Sequence, residues 1–66
     1  MANDTTYKIE GHDGAAYTVF EYRGPTSVYV YRGFIRGNVM HLYPKHSLCR
    51  GERRSKITVS LREVRQ

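Results

Sequence analysis

Between Ser27 and Arg32 the chain reads Ser-Val-Tyr-Val-Tyr-Arg, with small branched and aromatic side chains alternating residue by residue. A helix would scatter such a pattern around its circumference. A pleated strand sorts it cleanly, valines to one face and tyrosines to the other. The same period of two recurs along the sequence. Thr5–Glu10 reads as a first strand with Tyr7 and Ile9 on one side, and Ala15–Arg23 as a second, with Tyr17 and Val19 opposite Phe20 and Tyr22. The third strand continues past Gly33 through Phe34-Ile35-Arg36, the glycine predicting a bulge or sharp bend. Val39–Tyr43 forms a fourth, and Ile57, Val59 and Leu61 alternate with Thr58, Ser60 and Arg62 in a last strand that frays toward Gln66.

The breaks between these runs are turn chemistry. Gly11-His12-Asp13-Gly14 supplies positive φ and a side chain that bonds its own backbone. Gly24-Pro25-Thr26 interrupts the ladder because proline has no N–H to give. Gly37-Asn38 separates two apolar runs by two residues, the spacing of a tight hairpin. Residues 44–55 have no strand period and are expected to form the one long loop, with a short helical turn around Ser47–Arg50. The expected architecture is therefore all-β: one domain over residues 1–66, a small five-stranded antiparallel sheet curled into an SH3-like or OB-like partly open barrel. The SH3-like size suits the length better.

A chain of 66 residues buries only about 60% of its unfolded surface. Cys49 is the single cysteine, so no internal disulfide offsets this. A homodimer through an edge strand is one way to gain burial. With no apolar run of membrane length, no secretory-type leader and no disulfide pair, a cytoplasmic protein is expected.

Charge is unevenly placed. The net charge is −3 over residues 1–22 and +8 over residues 23–66. One cationic side favours a polyanion or an acidic protein as partner. Two groups of residues sharpen that expectation. The strand aromatics Phe20, Tyr22, Tyr29, Tyr31 and Tyr43 are of the type that stacks unpaired bases, with Tyr22, Tyr29 and Tyr31 the assigned stacking residues. That assignment takes the valine side of the third strand as the core. Arg23, Arg32 and Arg36 stand at strand ends or edges beside these rings. The second group is Lys45, Arg50, Arg53, Arg54 and Lys56, opposed only by Glu52, with Gly51 allowing close approach of an anion. Together they predict nucleic-acid binding, single-stranded or RNA, by charge and stacking. The same Tyr/Arg patch also suits a protein-binding adaptor or inhibitor of the phage or mobile-element type, acting on an acidic host protein. Both sets of residues have ordinary roles as well: tyrosine is a good strand former, and loop charges keep a small protein in solution.

Catalysis, metals and cofactors are not expected. His41, His46 and Cys49 match no zinc spacing and have only His12 as a further candidate ligand. Cys49 and His46 are a nucleophile–base pair by type but lack an orienting group and an oxyanion donor.

Overall fold

The computed structural model describes residues 4–48 and 53–66. Arg50, Cys49 and the far half of the expected helical turn lie outside the described residues. The elements are β1 (Thr5–Asp13), β2 (Ala16–Arg23), β3 (Thr26–Arg36), β4 (Val39–Ser47), β5 (Ile57–Ser60), a 3-10 turn (Leu61–Glu63) and β6 (Val64–Arg65). No α-helix occurs among the described residues, and no helix is long and apolar enough to cross a membrane.

The strands form one sheet in the order β5-β4-β3-β2-β1-β6. Its four antiparallel pairings follow chain order, while β6 joins β1 in parallel. The two edge strands are therefore consecutive in sequence, joined by one 3-10 turn of three residues. Four residue steps from Ser60 to Val64 span at most about 14 Å. A sheet whose opposite edges are held that close must curl into a half-barrel. The amide of Leu61 donates to the carbonyl of Asn38 at 2.9 Å, tying this crossover to the β3–β4 turn.

The three hairpins share one device. Asp13 pairs with Ala16, Arg23 with Thr26 and Arg36 with Val39, so each loop has two residues. Each begins with a glycine at positive φ, namely Gly14 at 64°, Gly24 at 62° and Gly37 at 60°. Glycine first with a non-glycine second is the type II′ pattern, whose twist matches that of the flanking strands.

Four expectations need correction. The expected turn at Gly11-His12-Asp13-Gly14 narrows to Gly14-Ala15, because Gly11, His12 and Asp13 belong to β1 and pair with Thr18, Tyr17 and Ala16. The strands number six, because the last run breaks after Ser60: Leu61–Glu63 turn the chain across the barrel end, and Val64-Arg65 pair with Tyr7-Lys8 on the far edge. The expected loop starting at Pro44 is strand as far as Ser47, opposite Tyr29–Tyr31. Pro44 is tolerated because the ladder shifts register between Val30 and Tyr31 and leaves Lys45 as the extra residue of a bulge. Gly33 is not a bulge, since it stays in register with Tyr17 and Leu42. The other irregularities leave out Glu10 on β1 and Val28 on β3. Gly33 instead makes room: a Cβ there would stand 3.0 Å from Leu42 Cδ2 and from Met40 Sδ, and 3.2 Å from Val19 Cγ2.

The core cluster is Val19, Val28, Tyr29, Tyr31, Met40 and Leu42, with Tyr7, Ile9, Tyr17, Ile57, Val59, Leu61 and Val64 packed around it. The tyrosine parity of β3 thus faces inward, which reverses the expected inner face. Arg32 and Phe34 share the opposite parity, and turning that side inward would have buried Arg32. Val28 joins the core through its bulge, while Val30 lies outside the cluster opposite Phe20 and His46.

Candidate nucleic-acid interface

Inward parity carries one conspicuous charge. Glu21 follows Val19 by two residues on β2, so the pleat that buries Val19 also buries the carboxylate, which is 3% exposed. It is satisfied from two directions. Tyr31 Oη donates to Glu21 Oε1 at 3.0 Å, and Arg54 Nη1 donates to the same oxygen at 2.7 Å and to Tyr31 Oη at 3.0 Å. The Arg54 guanidinium also lies over the Tyr29 ring, 4.8 Å from its centroid. Burial is the main reason the Tyr31 phenol is pushed up to about 12, with the Arg54 hydrogen bond opposing the rise. Burial likewise raises Tyr7, whose ring meets Tyr31 edge-on at 6.4 Å.

This arrangement removes three residues from the expected binding surface. Tyr29 and Tyr31 are 5% and 1% exposed, leaving no ring face for a base. Their hydroxylated rings are needed inside, where Tyr31 serves Glu21. Arg54 is half-buried and bonded to that pair, so its guanidinium is engaged within the fold. Of the remaining loop cations, Arg53, Lys45 and Lys56 are exposed, and Arg50 lies outside the described residues.

The outward parity assembles a different surface. The register aligns Thr18, Arg32 and Tyr43 across β2, β3 and β4, and Phe34 with His41 and Thr58 across β3, β4 and β5. Phe34 and Tyr43 meet nearly perpendicular at 6.0 Å. Arg32 caps the Phe34 ring at 5.4 Å and Lys56 caps the Tyr43 ring at 5.5 Å. A cleft of about 370 Å³ opens here, lined by Phe34, Ile35, Arg36, His41, Tyr43 and Lys56. Tyr43 is 44% and Ile35 42% exposed, so aromatic and apolar surface is presented directly to solvent.

A second aromatic pair lies on β2. Phe20 and Tyr22, both half-buried, stand 6.4 Å apart with their planes only 30° from parallel. Tyr22 Oη donates to Glu10 Oε2 at 2.9 Å, and that bond raises the phenol pKa. Lys8 and Arg65 share a shallow cleft with Tyr22 and Thr6. Arg23 is exposed at the end of β2, next to Tyr22 in sequence. Between the two pairs, Arg32 and the bulged Lys45 line a further cleft of about 280 Å³ with Thr18 and Asp13.

Of the residues that sequence reasoning assigned, Arg23, Arg32, Arg36, Lys45, Arg53 and Lys56 are exposed and Tyr22 is half-buried; Arg36 and Lys56 meet at one cleft, with Arg32 over the Phe34 ring beside it. Sequence reasoning passed over Phe34, His41, Lys8 and Arg65 and gave Phe20 and Tyr43 no role. Phe34 shares parity with Arg32 on β3 and could have been found that way; the others reach this face through the register of neighbouring strands, which the sequence does not give. Among the described residues no three His, Cys, Asp or Glu side chains converge as a metal site. In comparisons with family models, curated proteins and solved structures, the chain has no significant match.

Proposed function

We propose that this chain is a small basic nucleic-acid-binding module, selective for unpaired strands of RNA or DNA, that binds through the outward face of β3 and β4. The observation that carries the reading is the Phe34–Tyr43 cleft, where the two rings share one opening with Arg36 and Lys56 while Arg32 lies over the Phe34 ring. Base faces are accessible only when a strand is unpaired, and aromatic stacking uses those faces without regard to sequence. Guanidinium and ammonium groups at the cleft rim hold the phosphates and steer the approach. On chain length, the half-barrel is best read as SH3-like rather than OB-like.

The test is fluorescence anisotropy with labelled single-stranded RNA, single-stranded DNA and duplex at several salt concentrations. Three to four phosphates held by Arg32, Arg36, Lys56 and a neighbouring cation give a log–log salt slope of about −2 to −3 on a single strand. Phe34→Ala and Tyr43→Ala should each weaken single-strand binding roughly 5- to 150-fold, the range for one lost base stack, without a matching loss on duplex. Flat titrations at low salt would remove nucleic acid as the partner. An acidic protein would then be the next candidate for the same surface.

A further inference from the structure

Resting on that reading, we infer that the surface holds two base-stacking stations rather than one, with a phosphate bay between them. The first station is the Phe34–Tyr43 cleft and the second is the Phe20–Tyr22 pair. The register fixes their separation. Phe20 stands opposite Val30, and Phe34 lies four residues further along β3 on the same face. Tyr43 lies one strand beyond, opposite Arg32. At about 3.3 Å per residue and 4.8 Å per strand, the centres of the two pairs are about 15 Å apart. Arg32 lies between them on the same parity, and its cleft with Lys45 and Thr18 opens beside this path, two cations there outnumbering the single carboxylate of Asp13. Lys45 is the extra residue of the β4 bulge, a device that re-aims a side chain and is common beside functional sites.

Charge complementarity selects the occupant. Cations flank both ring pairs, Lys8 and Arg65 at one and Arg36 and Lys56 at the other, while Glu10 is bonded to the Tyr22 hydroxyl. An apolar peptide would leave these charges without partners. A polyanion with a flat ring on every repeat meets both rings and charges. With bases stacked at about 3.4 Å per nucleotide, 15 Å corresponds to about four or five nucleotides. A strand that keeps its own base stacking therefore needs roughly six nucleotides to engage both stations, crossing β2, β3 and β4 obliquely.

The experiment is a length series of oligothymidylate and oligouridylate, from three to ten nucleotides, titrated against the full chain. Affinity should rise roughly 5- to 150-fold between three and seven nucleotides, beyond the small statistical gain from extra binding registers, and then level off. Phe20→Ala should abolish that rise and cut trinucleotide stoichiometry from two per chain to one, because only the Phe34–Tyr43 station then remains. Lys8→Glu with Arg65→Glu provides a second test, since both residues are exposed: this variant should weaken the ten-mer and leave trinucleotide bound only at the Phe34–Tyr43 station. A smooth length dependence, or a rise that survives both variants, overturns the two-station arrangement while the binding function stands. Absence of binding at every length removes the function itself.

Discussion

Replacing Arg54 with alanine breaks the one buried ion pair among the described residues, Arg54–Glu21. The wild-type carboxylate of Glu21 is 3% exposed and receives two donors, Arg54 Nη1 at 2.7 Å and Tyr31 Oη at 3.0 Å. Arg54→Ala leaves the carboxylate inside the half-barrel with the tyrosine alone. Removing one partner of a buried ion pair typically costs about 3–5 kcal/mol, because the remaining charge is uncompensated. The Arg54 side chain is 18% exposed, so water can reach part of the vacated space and the lower end applies. A loss of about 3 kcal/mol is a large share of the roughly 3–10 kcal/mol expected for a domain this small. At 4–8 °C per kcal/mol, the Tm should fall by about 12–24 °C. Circular-dichroism melts and urea titrations measure this directly, with Arg53→Ala as a control expected to stay within about 0.5 kcal/mol because Arg53 is exposed. Adding Glu21→Gln to Arg54→Ala removes the orphaned charge and should recover part of the loss. A Tm shift of a few degrees for Arg54→Ala, or no recovery in the double variant, would refute the argument that Arg54 compensates a buried carboxylate.

Other substitutions probe separate parts of the fold. Gly33→Ala drives a methyl to within 3.0 Å of Leu42 and Met40, so it should cost about 1–3 kcal/mol by overpacking, less if the flexible Met40 thioether swings aside. Met40→Ala on that background should lose less than the sum of the two single changes, and strict additivity would argue against their contact. Tyr31, with its phenol pushed up to about 12, should ionise well above the ordinary tyrosine value of 10, read as phenolate absorbance. The unfolded phenol titrates near 10 and the folded one near 12, so the native state holds more protons between these values. Its stabilising share is whole below pH 10 and fades as pH rises toward 12; Tyr31→Phe should flatten that decline, and an unchanged slope would count against it.

Much of the architecture was legible from local chemistry. Alternation located the strands because a pleat repeats every two residues, and Gly37-Asn38 marked its hairpin because only glycine enters the required backbone region without strain. The cationic half of the chain was a matter of counting. Alternation has a symmetry that composition does not break: it divides β3 into a Val side and a Tyr side without saying which is inside. That choice depended on contacts between distant segments. Arg32 shares parity with Phe34 and Val30, and Glu21 has the wrong parity for a charge unless Tyr31 and Arg54 meet it in the interior. Arg54 comes from 33 residues away, and no local rule tells a phosphate-binding loop arginine from one that closes a core.

The last strand illustrates the same division. Its apolar period identified Ile57–Leu61 as strand, yet the break at Ser60 is dictated by closure, since Val64-Arg65 pair with β1 on the opposite edge of the sheet. The sequence by itself determined the all-β class, the cores of the first five strands, the two-residue Gly37-Asn38 turn and the excess of positive charge after Tyr22, because those follow from nearest-neighbour chemistry. Only the tertiary structure decided which rings are buried, which arginines remain in solvent and how the edges meet. Those outcomes depend on the free energy of burying particular charges and rings against segments far away in the chain.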